Sequence, residues 1–187
     1  MNWTQVSYLY DGSLAGFLTC VFEAYTHREE PADFTPFDQA CASFYAQRSV
    51  ETDRAKAQRV YRSLEAKLGK TGKDWLLRGF LPCLPDRELW LWRFLRLGYK
   101  RGPGFTRDLT HPVVNQVHKA VQALSSEAHL FTGFVRFSQT SKGILVSRIG
   151  PKNDVLPILA PHFADRLPME SWIIYDENHR KADVHPS

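Results

Sequence analysis

The sequence lacks the features of a membrane-spanning, exported or disulfide-linked protein. No apolar run approaches the roughly 20 residues that a helix needs to cross a bilayer. The N-terminus has no basic stretch followed by an apolar one, which a signal peptide would have. The three cysteines, Cys20, Cys41 and Cys83, are odd in number and far apart, a pattern that fits neither a disulfide framework nor a metal motif. We therefore expect a protein of a reduced, bacterial-type cytoplasm.

Motifs for common cofactors are missing as well. There is no glycine-rich phosphate loop, because Gly102-Pro103-Gly104 is short and contains a proline. No Cys/His spacing supports zinc or an iron–sulfur cluster, and no serine or cysteine lies in a nucleophile motif. We expect neither a metal nor a cofactor.

The composition is that of a folded protein. Of the 187 residues, 43% are hydrophobic and 13% aromatic, which excludes a disordered chain and allows a sizeable core. The net charge of +4 permits contact with nucleic acid but does not require it. We expect one domain, with a helix-rich lobe at about residues 13–131 and a ββαββ-like segment at about 133–185.

Hydrophobic spacing predicts mostly helices in the first two thirds of the chain. Residues 5–10 are predicted to form a strand, and Ser13 is predicted to cap an amphipathic helix. The core stripe of this helix is predicted to consist of Leu14, Phe17, Leu18, Val21, Phe22 and Tyr25. Residues 28–46 are predicted to form a loop, and residues 47–51 a short strand. Further helices are predicted to start at Asp53, ending at Gly69, and then at Thr71, Pro85 and Pro112.

The last third is predicted to consist mainly of strands. Residues 134–139 and 144–149 resemble a hairpin, and residues 172–176 and 182–185 a further pair. Between them, Asp154 is predicted to cap a short helix that Pro161 breaks or kinks near Ala160. Because these strands lack apparent crossover helices, the pattern favours an α+β protein with a mainly antiparallel sheet, formed largely by the C-terminal third.

Two histidines on the long helix after Pro112 form the first candidate site. His118 and His129 are close to three helical turns apart and therefore share a face. That face lies beside the predicted core stripe of the helix, which consists of Val114, Val117, Val121, Leu124, Ala128 and Phe131. Such a pair can bind an anion or transfer protons. The alternative is that both are boundary histidines bonded to backbone or carboxylate groups. The residue pattern leaves both interpretations open.

Arginines and a third histidine in the last third form the next candidates. His162 and Arg166 are four residues apart, Asp165 is placed to orient a histidine, and Arg166 can hold a phosphate. An ordinary Asp–Arg surface pair is the alternative. Arg136 requires a carboxylate or anionic partner if it lies over apolar surface, and the available carboxylates are Glu127 and Asp176.

A basic and aromatic helix between residues 87 and 107 is the last candidate. Arg93, Arg96 and Lys100 lie on one stripe, interleaved with Trp92 and Tyr99. Basic side chains neutralise phosphates and exposed aromatic rings stack on unpaired bases. The alternative is an amphipathic helix whose arginines are solvated and whose tryptophans belong to the core.

Several segments together resemble a known family. They are the stretches 8–13, 16–25, 96–99, 127–129, 133–137, 159–166 and 172–176, from Tyr8-Leu9-Tyr10-Asp11-Gly12-Ser13 to Trp172-Ile173-Ile174-Tyr175-Asp176. This set is similar to the domain-of-unknown-function family 4130, whose members are labelled "probable DNA metabolism protein". The resemblance implies a DNA modification or repair protein of the radical S-adenosylmethionine type as a partner. Related domains also occur fused to a uracil-DNA glycosylase-like domain, which we do not expect in this chain.

Three functions follow as hypotheses. The first is a DNA-metabolism accessory protein that binds nucleic acid, the radical S-adenosylmethionine partner, or both. The second is an enzyme acting on a nucleotide or nucleic acid, with His129 and His162 as acid–base groups and Arg136 and Arg166 holding phosphate. The third is a protein-interaction adaptor whose motifs only stabilise the fold.

Overall fold

A computed structural model of the chain describes residues 3–40 and 42–186, so Cys41 lies outside the described residues. Within them the chain forms five α-helices and seven β-strands in two sheets, which makes it an α+β protein. It divides into two compact units. The N-terminal unit comprises the described residues up to Phe80 together with Leu84–His118, and the C-terminal unit comprises Leu81–Cys83 and residues from 119 onward.

The N-terminal unit contains a three-stranded sheet and three complete helices. Its elements are β1 (Thr4–Tyr10), α1 (Leu14–His27), β2 (Glu29–Pro36), β3 (Ala46–Ser49), α2 (Arg54–Arg78) and α3 (Arg87–Arg101). Helix α4 (Pro112–Phe134) begins here and continues into the C-terminal unit. That unit then adds β4 (Ser138–Gln139), β5 (Leu145–Ile149), α5 (Leu156–Arg166), β6 (Trp172–Asp176) and β7 (Lys181–His185).

The N-terminal sheet is parallel, and this corrects the prediction of a mainly antiparallel sheet confined largely to the C-terminal third. Its order is β2-β1-β3, and both pairings are parallel. Helix α1 returns the chain between β1 and β2, and the connection after β2 returns it again before β3. Residues 28–46 were predicted to form a loop because they contain prolines and acids. As an edge strand, β2 tolerates proline, and its acids Glu29 and Glu30 have cationic partners.

The C-terminal sheet is mixed, with the order β4-β5-β6-β7. Strands β5 and β6 are parallel because α5 crosses between them, whereas β4–β5 and the predicted β6–β7 pair are antiparallel. Helix α5 was predicted to break or kink near Ala160; it is not broken there and runs through Pro161 to Arg166. Residues 134–139 were predicted to form a strand, but α4 extends to Phe134 and β4 contains only two residues.

Local capping signals at the helix starts are mostly confirmed. The Ser13 side chain accepts a hydrogen bond from Gly16 N at 2.9 Å, and Asp53 accepts from Ala55 N at 2.8 Å. At Gly69 a positive φ of 75° interrupts α2, where one predicted helix ends and the next begins. Asp154 is an exception, because Val155 occupies the cap position and the Asp154 carboxylate pairs with Lys181.

Each unit has its own core. In the N-terminal unit, α2 and α3 approach at Gly72 and Gly98, with Leu68 and the Phe105 ring filling the space around both glycines. In the C-terminal unit, the predicted stripe of α4 packs through Leu124 and Ala128 into a buried cluster; its other members include Val135, Ile149, Leu159, Phe163, Trp172 and Ile174. None of the described helices combines the length and apolar character that a membrane span requires.

Candidate functional site

The predicted basic stripe of α3 lines a groove in the N-terminal unit. Arg93, Arg96 and Lys100 border a space of about 480 Å³, here called the α3 groove. The rest of the lining comes from α1, from β2 and from residues just before β1 and around the start of α4, which the sequence pattern did not connect with α3; it includes Trp3, Tyr25, Glu30 and His111. The tertiary fold therefore turns a charged helix face into a concave surface.

Aromatic rings line one side of the α3 groove. The Tyr25 ring lies 5.4 Å from Trp3 and 5.7 Å from Tyr99, measured between ring centroids. Tyr25 is 36% exposed, and Tyr99 and Trp3 are partly exposed. Trp92, for which the sequence left both a surface role and a core role open, is fully buried behind them. The exposed part of the cluster provides flat aromatic surface within reach of the cations.

Both phenols in the groove stay neutral at physiological pH. Burial raises the pKa of Tyr25 to about 12, with Tyr99 and Glu30 adding to the shift and Arg96 opposing it. Burial also raises the pKa of Tyr99, although its hydrogen bond with Ser63 acts in the opposite direction. The tyrosines therefore add aromatic surface without adding negative charge.

The only acid among the residues that line the groove, Glu30, is already satisfied. One carboxylate oxygen accepts a hydrogen bond from Trp92 Nε1 at 2.9 Å, and the other is bound by Arg96. The Arg96 guanidinium also lies 4.6 Å above the Trp3 ring. Arg96 is therefore held as part of the groove wall, with one charge already compensated.

Two cations of the groove remain uncompensated. Arg93 and Lys100 are exposed, and neither forms an ion pair with an acid in the described part of the chain. The Arg93 guanidinium rests 5.3 Å from the Trp90 ring, which holds the side chain without neutralising it. The groove therefore keeps a net positive charge that an anionic ligand can neutralise.

The acids Glu29 and Glu88 join elements around the sheet. Glu29 accepts hydrogen bonds from Tyr8 and Arg48, so that it connects β1, β2 and β3. Glu88 accepts from Tyr10 at 2.7 Å, which connects β1 to α3. The Glu29 contacts hold the sheet together, and the Glu88 contact positions α3, and therefore the groove, relative to the sheet.

His118 lies outside the α3 groove. Its ring stacks on the Trp75 ring with a centroid distance of 4.6 Å and an interplanar angle of 22°. It borders a separate cleft together with Lys70 and Arg107. His129, on the same helix, is exposed, and its carbonyl accepts a hydrogen bond from Thr132 Oγ1 at 2.6 Å.

Two predicted acids of the C-terminal unit bind turns instead of Arg136. Glu127 accepts hydrogen bonds from Lys152 N at 2.7 Å and from Asn153 N at 2.9 Å. The fully buried Asp176 accepts from His179 Nδ1 at 2.7 Å and from two backbone N–H groups. Arg136 donates to the carbonyl groups of residues 133 and 135 near the end of α4. The predicted Arg136–carboxylate ion pair is therefore not formed with either acid.

The remaining predicted side chains lie on the surface of the C-terminal unit. His162, Asp165 and Arg166 are exposed on α5, and the His162 ring makes an edge contact with Phe163. Among the described residues, no ion pair joins any of these three to Arg136 or His129. Within that same part of the chain, no group of three or more His, Cys, Asp or Glu residues is placed to bind a metal.

Sequence reasoning missed two sets of residues. Trp3, Tyr25 and His111 belong to the α3 groove, but Tyr25 was assigned to the core stripe of α1 because its spacing fits that stripe. His179 was missed as the partner of Asp176; a histidine three residues after a strand-ending aspartate was the only available signal. Both sets depend on contacts that periodicity cannot detect.

The chain is thus an α+β protein with a basic, aromatic groove in its N-terminal unit. Residues 85–186, more than half of the chain, match the model of DUF4130, a domain of unknown function, and the chain belongs to this family. The matched range covers α3, α4 and the C-terminal sheet, whereas the similar stretches 8–13 and 16–25 precede it. Neither the curated proteins nor the solved structures contain a match.

Proposed function

We propose that the protein binds unpaired nucleic acid through the α3 groove, as an accessory protein in DNA metabolism. One observation carries this proposal: the uncompensated cations Arg93 and Lys100 border the same groove as the exposed Tyr25. Cations neutralise backbone phosphates, and aromatic rings stack on bases that are not paired. Both kinds of contact are needed for a single strand, and the groove offers both.

The surface suited to a strand extends beyond the α3 groove. Tyr25 and Tyr99 also line an adjoining hollow of about 410 Å³, which contains Phe22 and Arg59. The Arg59 guanidinium lies 5.6 Å from the Phe22 ring, so aromatic and cationic groups are again adjacent. The two hollows share the tyrosines, which supports binding of more than one nucleotide along the surface.

The place of this binding activity in DNA metabolism rests on the family resemblance. A radical S-adenosylmethionine protein remains the proposed partner, and co-purification from native cells tests it. The alternative of a His/Arg enzyme has less support, because His129, His162, Arg136 and Arg166 are all exposed on the surface. A pure adaptor is the alternative that remains if nucleic acid does not bind.

Fluorescence anisotropy with a labelled single-stranded oligonucleotide tests the binding. We expect affinity to fall as salt rises, with a slope of about 0.7 per phosphate contact on a log–log plot. The double variant Arg93→Glu/Lys100→Glu should weaken binding at low salt by at least about tenfold and flatten the slope. Arg96 is left unchanged because it also holds Glu30.

Lys67→Glu is the matched control. Lys67 is an exposed cation of α2 that does not line the α3 groove or the adjoining hollow. It makes the same change of charge as each groove substitution, so it should reduce affinity only slightly. Equal losses from Lys67→Glu and from either groove substitution alone would contradict a specific groove, and absence of binding at low salt would reject the proposal.

A further inference from the structure

A second cleft in the N-terminal unit lies beside the break in α2. This space of about 430 Å³ is here called the Trp75 cleft. It is lined by Lys70, Thr71 and Trp75 of α2, by Thr106 and Arg107 of a short 3-10 helix after α3, and by His118 of α4. Gly69, with its φ of 75°, also borders it. The Trp75 cleft shares no lining residue with the α3 groove.

One part of the Trp75 cleft is aromatic and apolar. The partly exposed Trp75 ring is backed by the nearly parallel His118 ring at 4.6 Å, which fixes its orientation. Leu68 and Leu109 continue this surface, and Leu109 is 41% exposed. An exposed leucine beside a fixed indole provides a contact for a flat ligand group.

The lining of the cleft is also cationic, and neither of its two cations forms an ion pair in the part of the chain that the structure describes. The cleft lining contains no acidic residue. In the described chain, neither Lys70 nor Arg107 has a carboxylate within ion-pair distance. Glu65, five residues before Lys70, pairs with Lys73 at 2.9 Å, although the Lys70 charge also helps to lower its pKa. Asp108, next to Arg107, pairs with Arg101 at 2.9 Å.

Hydroxyl groups complete the lining of the cleft. Thr106 is only 8% exposed, and Thr71 lies one residue after Lys70. A threonine hydroxyl donates one hydrogen bond, and lysine and arginine donate charge-assisted ones. Together these groups can hold the oxygens of a phosphate, and the arrangement leaves the indole side for an apolar, planar group.

We propose that the Trp75 cleft binds a nucleoside that carries a terminal phosphate. The phosphate contacts Lys70 and Arg107, and the base lies against the Trp75 side of the cleft. A volume of this size is typical of small-molecule sites. A free mononucleotide and the phosphorylated end of a strand both have a base next to a terminal phosphate, so either one is a ligand of this kind. Binding at the Trp75 cleft is a second activity that the α3 groove does not require.

Isothermal titration with deoxyadenosine 5′-monophosphate tests the site, with deoxyadenosine and inorganic phosphate as partial ligands. We expect the mononucleotide to bind, and each partial ligand to bind at least about tenfold more weakly, because each lacks one of the two contacts. Lys70→Ala and Arg107→Ala should each weaken mononucleotide binding by about tenfold, as expected for loss of a charge-assisted hydrogen bond.

Lys67→Ala is the matched control, since Lys67 is an exposed lysine of the same helix that does not line the cleft. The groove variant Arg93→Glu/Lys100→Glu should also retain mononucleotide binding, so that failure of the α3 groove and failure of the Trp75 cleft are distinguishable. Unchanged melting temperatures show that the variants are folded.

Oligonucleotides with and without a 5′-phosphate distinguish the two sources of the ligand. A gain in affinity from the phosphate that disappears in Arg107→Ala identifies a strand end. A mononucleotide that binds as tightly as the phosphorylated oligonucleotide identifies a free nucleotide. Binding of neither probe, or binding that Lys70→Ala and Arg107→Ala leave unchanged, would overturn the proposal.

Discussion

In the N-terminal unit, Glu29, Glu30 and Glu88 bind side chains from other strands and helices, whereas in the C-terminal unit Glu127 and Asp176 bind mainly the backbone of turns. Among the described residues, exposed cations without an acid partner occur in both units, but those of the N-terminal unit, Arg93 and Lys100, border a groove together with aromatic rings. The C-terminal unit contains most of the residues that first suggested a site. Turn capping therefore explains part of a recognisable sequence motif, while the basic and aromatic groove lies in the other unit.

The two units also differ in how tightly a helical glycine is packed, and the largest expected effect concerns this packing. A Cβ at Gly98 of α3 would lie 2.2 Å from Leu68 Cδ2 and 2.8 Å from the Phe105 ring. Both neighbours are buried, so we expect Gly98→Ala to destabilise the protein by about 2–3 kcal/mol through overpacking. Urea denaturation measures the change.

The matched variant in the C-terminal unit is Gly133→Ala. Gly133 also lies in a helix, but a Cβ there would have no neighbour within 4 Å. We expect a neutral or slightly stabilising effect, up to about 0.5–1 kcal/mol, because alanine favours the helix. If both variants lost similar amounts of unfolding free energy, the two glycines would not differ in packing.

Acid sensitivity tests the carboxylate contacts of the N-terminal unit. Burial pushes the Glu29 pKa upward, but the hydrogen bonds from Arg48 and Tyr8 and the Arg48 charge outweigh it and hold the pKa below its ordinary value of 4.5. A lowered pKa in the folded state means that the contribution to stability is present above the unfolded pKa and is lost as pH falls through the folded one.

We therefore expect Glu29→Gln to lose about 1–2 kcal/mol at pH 7 and progressively less as the pH falls below about 4. Urea midpoints measured from pH 7 to pH 3 follow this convergence. Glu51→Gln is the control, since Glu51 is exposed and forms no ion pair within the described residues. A stability difference that does not change with pH would show that the Glu29 charge is unimportant.

The smallest effects are expected for the predicted catalytic histidines. His129→Ala and His162→Ala remove exposed side chains, so each should change stability by less than about 0.5 kcal/mol. Oligonucleotide affinity should change by no more than about twofold, since neither residue lines the α3 groove. A large loss of affinity in either variant would favour a site in the C-terminal unit and reverse the comparison.

Much of the secondary structure was predictable because its signals are local. The caps Ser13 and Asp53, the helix break at Gly69 and the buried stripe of α4 all depend on residues within a few positions of one another. Strand β2 was not predictable from neighbouring residues. Its prolines are tolerated because it is an edge strand, and its acids Glu29 and Glu30 pair with Arg48 and Arg96 from distant parts of the chain.

The sequence by itself determined the α+β class, the family, and the presence of three cations on one stripe of α3, since composition, motifs and helical periodicity are properties of neighbouring residues. Only the tertiary structure decided that Tyr25 and Trp3 meet this stripe to form a groove, and that Lys70, Arg107 and His118 border one cleft. Only the fold showed that Glu127 and Asp176 are used in turns. The physical reason is that long-range pairing determines which charges are compensated, and therefore which of them remain available to a ligand.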